Sequence, residues 1–170
     1  MSPQPAKMSA QQARGITEFL LADLQQEMGT TIRVIEAAEG GKLDYAPDPK
    51  AATGIGLIRH IVTSDAWFLN GIASGVFGSG EESAGTKITT PAEGAALYKA
   101  TIPAAMERVR ALPDAKLTEE SDFFNMKMSP VVLLSIMIKH SVHHRGQLST
   151  YLRPMGCKVP GIYGPSADTQ

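Results

Sequence analysis

The sequence predicts an all-α protein, folded as a four-helix bundle with long loops between the helices. Four long segments carry apolar residues at the three- and four-residue spacing of amphipathic helices. Stretches rich in glycine or proline separate these segments, and no convincing pair of β-strands is found. The 170 residues fit one domain, which typically spans about 100 to 200 residues. We therefore expect a single domain over residues 1–170.

The first helix is predicted over about residues 9–38. Ser9 and Gln12 have the spacing of a capping box, and Gly40 and Gly41 end the apolar pattern. Its inward side chains are expected to be Ile16, Leu20, Leu24, Met28, Thr31 and Ile35.

The second helix is predicted over about residues 53–73. One face is expected to combine Leu57, His60, Ile61, Ser64, Phe68 and Ile72. His60 lies among apolar neighbours, where an unpartnered imidazole would cost about a few kcal/mol of desolvation. Asp65 and Trp67 do not share this face fully, so we interpret them as solvated or wall-forming side chains. Residues 73–89 hold four glycines and are expected to form a connecting loop or lid.

The third helix is predicted over about residues 91–112, because Thr90, Pro91 and Glu93 form a capped start. Its inward side chains are expected to be Tyr98, Ile102, Ala105, Met106, Val109 and Leu112. The segment from Asp114 to Met128 is predicted to be a loop that includes a short extended piece.

The fourth helix is predicted over about residues 130–153, and residues 157–170 are expected to form an extended tail. His140 and His144 are four residues apart, so both imidazoles leave the same side of the helix. We expect this side to face the core. Arg145 is expected to point away from it, toward the helix surface. Gly146 is interpreted as a position where another backbone approaches closely.

Composition excludes several classes of function. The 16 basic and 17 acidic residues are mixed along the chain, so no basic stripe indicates nucleic-acid binding. No uninterrupted apolar run approaches the about 18 residues of a membrane span. Cys157 is the single cysteine and cannot form an intramolecular disulfide, and the N-terminal residues lack the apolar run of a signal peptide. We therefore expect a cytoplasmic protein.

The histidines are the candidate functional residues. Two imidazoles one helical turn apart can share a divalent cation, and a third from another helix would complete a face with positions left open. His60, His140 and His144 are therefore candidate ligands for a divalent metal. Imidazole suits zinc, nickel, iron and copper, and we expect zinc or nickel. Two alternatives are a structural histidine at position 60 and a buried hydrogen-bonded histidine cluster without metal.

Three other side chains lie close to these histidines in sequence. Gln147 is one turn beyond His144, where it could fix a ligating imidazole or satisfy a buried backbone group. His143 is interpreted as a semi-exposed side chain behind the ligands. Tyr151 is expected on the same stripe, mainly as a packing residue.

The histidine in the second helix, followed much later by H-x-x-x-H-R-G-Q-L, resembles the DinB/YfiT-like superfamily of bacterial four-helix bundles. Three stretches carry the resemblance: KLDYAPDPKAATGIGLIRHI, HSVHHRGQLSTYLRPMG and VPGIYGPSAD. The resemblance implies a metal-binding triad at His60, His140 and His144. It also implies a homodimer and a metal that activates a low-molecular-weight thiol in transferase or isomerase reactions.

The resulting functional hypothesis is a metal-dependent transferase that uses a low-molecular-weight thiol and acts on a small-molecule substrate. A metal-activated water at the same centre would instead make a hydrolase. A third hypothesis is a non-catalytic, metal-binding stress-response protein, in which the metal braces the bundle.

Overall fold

The computed structural model describes residues 8–78 and 87–169. Its four helices are α1 (Ala10–Glu36), α2 (Gly54–Ser74), α3 (Pro91–Arg110) and α4 (Pro130–Leu152). α1 and α2 each pack against both α3 and α4, so α1 and α2 lie at opposite corners. The predicted all-α four-helix bundle is confirmed. None of the helices in the described ranges has the length and apolarity to cross a bilayer.

The helix ends follow the capping signals in the sequence. Ser9 and Gln12 form the predicted capping box of α1, and Thr90 and Glu93 form that of α3. These boxes satisfy backbone N–H groups that a first helical turn leaves without partners. α2 ends before Gly75, which adopts a left-handed φ of 75° that favours glycine. The predicted loop or lid at 73–89 falls partly on residues 79–86, which lie outside the described residues.

The loop between α3 and α4 contains a β-hairpin, so the expectation of no strand pair is wrong. A short 3-10 helix spans Asp114–Thr118, and strands β1 (Ser121–Phe123) and β2 (Met126–Met128) pair antiparallel. The predicted short extended piece lies here. Phe124 and Asn125 form the turn with positive φ values of 50° and 63°, as in the two-residue turns that suit hairpin twist. Three-residue strands are too short to show an alternating pattern.

The inward face of α1 differs from the prediction. Ile16 is 40% exposed, whereas Ala13, Thr17 and Leu21 are buried. The N-terminal half of α1 packs against the 3-10 helix, where Ala13 joins a small apolar cluster with Leu117 and Val131. This additional neighbour turns the buried stripe away from Ile16. On α3 the predicted inward side chains are buried, except for Leu112, which is half-buried beyond the helix end.

Arg145 of α4 is 1% exposed, so the prediction that it lies on the helix surface is wrong. Its guanidinium forms an ion pair with the half-buried Glu27 of α1. It also donates a hydrogen bond of 2.5 Å to the Tyr163 hydroxyl, which in turn donates one of 2.9 Å to Glu27. The side of α4 that carries Arg145 faces α1 and the tail. The extended tail is thereby joined to the bundle.

Two helical glycines differ in their surroundings. A Cβ atom added at Gly94 in α3 would lie 2.6 Å from Cγ2 of Ile58 in α2, so glycine permits close contact between these helices. Gly146 in α4 is exposed, with no atom within 4 Å of an added Cβ. The predicted close approach at Gly146 is therefore wrong, and it occurs at Gly94.

Alanine substitutions at these glycines should change stability in opposite directions. Gly94→Ala should lower the free energy of unfolding by about 1–3 kcal/mol, because the added methyl overpacks the α2–α3 contact. Gly146→Ala should raise it by about 0.8 kcal/mol, the gain in helix propensity at an open position. Urea denaturation of both variants measures these changes. A stabilising Gly94→Ala substitution would contradict the close helix contact.

Candidate metal centre

The three histidines expected to act together meet between α2 and α4. Nε2 of His60 is 3.2 Å from Nε2 of His140 and 3.0 Å from Nε2 of His144. The three nitrogen atoms all lie within 4.8 Å of one another. The four-residue spacing on α4 supplies two of these imidazoles, and the packing of α2 beside α4 brings the third.

The histidine cluster lies at the edge of the bundle, which corrects the prediction that it faces the core. His60 is exposed, and His140 and His144 are half-buried. The buried stripe of α4 includes Ser141 and Arg145, and each of them follows one of the α4 histidines by one position. One position is about 100° around a helix, so the histidine side is at the margin of the stripe. A small molecule can therefore reach the cluster.

Gln147 orients His144. Nδ1 of His144 lies 2.7 Å from Oε1 of Gln147, a contact in which the imidazole N–H donates to the amide oxygen. This assignment places the proton on Nδ1 and leaves Nε2 with a lone pair directed at the cluster. It is the geometry expected of a side chain that fixes a ligating imidazole.

Partial desolvation within the cluster keeps the three imidazoles neutral. It is the main cause that lowers the pKa of His60, His140 and His144 below the ordinary value of 6.5. The charges of neighbouring imidazoles lower these pKa values further, and the pKa of His140 falls to about 4. Metal ions bind the neutral imidazole, so the cluster is in the binding form at neutral pH.

A buried carboxyl group contacts Ser141, the residue that follows His140. Asp65 is 0% exposed, and its Oδ2 accepts hydrogen bonds of 2.7 Å from the Tyr98 hydroxyl and 2.6 Å from the Ser141 hydroxyl. The interpretation of Asp65 as a solvated or wall-forming side chain is therefore wrong. Its spacing of four residues from the buried Ile61 is the signal that places it on the inner side of α2.

The protonation of Asp65 depends on its surroundings. Burial raises its pKa from 3.8 to about 7, although the hydrogen bonds from Ser141 and Tyr98 act in the opposite direction. Burial and the nearby Asp65 raise the pKa of Tyr98 well above its ordinary value. Tyr98 therefore stays protonated and remains a donor, so Asp65 holds α2, α3 and α4 together through one oxygen atom.

The other residues singled out from the sequence lie further from the centre of the cluster. His143 is exposed, and its ring centroid is 4.9 Å from that of His144. Tyr151 packs edge-on against Tyr45 with a centroid distance of 5.4 Å. Trp67 is half-buried and contacts Phe68, which agrees with its interpretation as a wall-forming side chain.

One imidazole from α2 and two from α4 form a candidate metal centre at the edge of the bundle. A helical bundle with such a centre defines the class of protein to which the chain belongs. The chain matches the model of the DinB family over residues 8–170 and belongs to this family. This match confirms the family resemblance of the sequence.

Two proteins of Bacillus subtilis are similar to the chain in sequence. YrdA is 42% identical over 55 residues, which are 32% of this chain and 33% of YrdA. YjoA is 30% identical over 118 residues, which are 66% of this chain and 73% of YjoA. The chain thus spans about a third of YrdA and almost three quarters of YjoA in these alignments.

Crystal structures of two DinB-like proteins have the same fold. The one from Bacillus cereus superposes with a TM-score of 0.73 at 26% sequence identity, over 86% of this chain and 97% of that protein. YjoA superposes with a TM-score of 0.68 at 23% identity, again over 86% of this chain and 97% of the other.

Asp65→Asn should change how stability depends on pH. The pKa of Asp65 is about 7 in the folded protein against an ordinary value of 3.8, so at intermediate pH the folded state holds a proton that the unfolded state has lost. Stability from this group is full below 3.8 and is lost as pH rises toward 7. The free energy of unfolding of the wild type should therefore fall relative to Asp65→Asn by about 1 kcal/mol per pH unit between about pH 5 and 7.

Urea denaturation of both proteins across this pH range measures the difference. The asparagine amide oxygen can still accept the two hydroxyl hydrogen bonds, and all other titrating groups are common to both proteins and cancel. A difference that does not vary with pH would show that Asp65 is not the buried acid described here.

Proposed function

We propose that His60, His140 and His144 bind a divalent metal, zinc or nickel, and that the protein is a metal-dependent transferase that uses a low-molecular-weight thiol. The single observation that carries this proposal is the convergence of three Nε2 atoms from two helices within 4.8 Å. Three neutral nitrogen donors that leave other positions open are typical of catalytic metal sites. When bound, the metal would lower the pKa of a thiol or water and polarise a carbonyl group.

The residues of the chain fit this chemistry in two ways. Gln147 accepts the Nδ1 proton of His144, so the nitrogen directed at the cluster carries a lone pair. The cluster consists of histidines alone, so no carboxylate within it offsets the charge of a dication. A neutral ligand set favours an anionic partner such as a thiolate. The exposed edge position admits a small thiol and a small second substrate.

Metal content tests the ligand set directly. The protein purified without a histidine tag should contain stoichiometric divalent metal by elemental analysis, and His144→Ala should lose it because only two imidazoles remain. His143→Ala is the matched control, since it removes the exposed neighbouring imidazole and should retain the metal. Equal metal content in both variants would contradict the assignment of His144 as a ligand.

Gln147→Leu should weaken metal binding by about 10- to 100-fold, because the hydrogen bond that orients His144 is lost. Gln147→Glu keeps an acceptor oxygen and should retain affinity. Competition against a chromophoric chelator measures both dissociation constants. Unchanged affinity in Gln147→Leu would contradict a role for this hydrogen bond in metal binding.

Turnover tests the reaction class. Metal-loaded protein should catalyse the reaction of bacillithiol, mycothiol or glutathione with small electrophiles. Chelation by EDTA should abolish turnover with little change in melting temperature. No metal-dependent turnover with any of the three thiols would count against the transferase. Metal-dependent hydrolysis without thiol would instead indicate the hydrolase. A large drop in melting temperature on EDTA treatment, in a protein that shows no activity, would indicate a metal that only stabilises the fold.

The homodimer and the cytoplasmic location expected from the sequence remain predictions that fit this proposal. Low-molecular-weight thiols are the reductants of the cytoplasm, where such a transferase would find its co-substrate. Sedimentation equilibrium of the purified protein would test the homodimer, and a monomeric mass at all concentrations would contradict it.

A further inference from the structure

A cavity of about 460 Å³ opens directly beside the histidine cluster. His60 and His140 form one side of it. The other sides are apolar and largely aromatic, and are formed by Trp67, Phe68, Phe123, Phe124 and Ile136. A group held in this cavity would therefore lie against the proposed metal centre.

The lining of the cavity is not suited to a charged group. None of the described residues that line it is an aspartate, glutamate, lysine or arginine. The hydroxyls of Thr63 and Ser64 donate to backbone carbonyls of α2 at 2.8 and 2.6 Å. The indole N–H of Trp67 donates to the carbonyl of Gly78 at 3.2 Å. A charged group would lose its hydration here without replacement, so the cavity favours an uncharged group.

The aromatic side chains are arranged to contact a flat ring. The Trp67 ring lies 5.0 Å from that of Phe68 and 6.2 Å from that of Phe124, measured between centroids, and both pairs are inclined. Inclined and edge-to-face contacts are the preferred geometries of aromatic pairs. A planar ring held in the cavity would pack against Trp67 and Phe124 and extend this arrangement.

Phe124 provides a second observation. It is 72% exposed and adopts a left-handed φ of 50°, a conformation that disfavours phenylalanine by about 1–2 kcal/mol. Asparagine or glycine would fit the same turn without this strain. An exposed aromatic ring at a strained position beside a reactive centre indicates a functional role.

We propose that the second substrate of this enzyme is an uncharged small electrophile with an aromatic ring. The thiol sulfur forms a bond to its electrophilic carbon, and the leaving group departs with the electron pair of the bond that breaks and takes up the thiol proton. The ring lies in the cavity against Trp67 and Phe124, and the reacting atom faces His60 and His140. The volume of the cavity suits one or two fused rings with a short substituent. This inference rests on the proposed function, because it takes the histidine cluster as the reaction centre.

Two hydroxamates test the proposal on metal-loaded protein. Benzohydroxamate and acetohydroxamate share the same metal-binding group, and only the first has a ring. Calorimetry should show that benzohydroxamate binds at least about tenfold more tightly, which corresponds to about 1.4 kcal/mol. Phe124→Asn keeps a residue suited to the turn and should reduce this preference at least about threefold.

The control variant is Phe19→Ala, because Phe19 is also 72% exposed but lies on α1. It should leave the preference unchanged. Equal affinities for the two hydroxamates on protein shown to contain metal would overturn the aromatic substrate and leave the metal centre standing. A full preference in Phe124→Asn would overturn the place assigned to the ring. Absence of metal by elemental analysis would overturn the proposed function and this inference with it.

Discussion

The geometry of the site depends on one buried carboxyl group. Oδ2 of Asp65 in α2 accepts hydrogen bonds from Tyr98 in α3 and Ser141 in α4. Ser141 directly follows His140, so its hydrogen bond to Asp65 also fixes the position and rotation of α4 relative to α2. A shift of α4 by one residue would rotate its side chains by about 100°. The imidazole of His140 would then no longer meet His60, and the buried donors would lose their acceptor.

A second polar contact fixes α4 relative to α1 and the tail. The buried guanidinium of Arg145 pairs with the half-buried Glu27 of α1, and Tyr163 of the tail contacts both groups. Breaking such a pair by removing one partner leaves an uncompensated buried charge. Because Arg145 directly follows His144, each histidine of α4 is adjacent in sequence to a buried polar anchor. Buried contacts therefore fix the position of α4 and of its two imidazoles, although the imidazoles lie at the exposed edge.

The sequence was sufficient for the helices and the histidine set, because apolar periodicity, capping residues and the spacing of His140 and His144 are local properties of the chain. It was not sufficient to say which side of α4 faces the core. That depends on the neighbours of the helix, and a buried arginine looks like a surface residue until Glu27 is known to face it. The hairpin was missed for a related reason, since its strands are too short to show a period.

Two adjacent residues of the hairpin line the proposed substrate cavity, and only the first of them also packs into the core. Phe123 is buried and packs against Phe68 and Phe77, so it attaches the hairpin to α2 and cannot vary without disturbing that contact. Phe124 is exposed and presents its ring to the cavity. A substitution there would change the wall beside the histidines while the bundle, the Asp65 hydrogen bonds and the ligand set stayed intact. On the proposed function, a substitution at the tip of this hairpin would change which substrate the bundle accepts while the three histidines stayed the same.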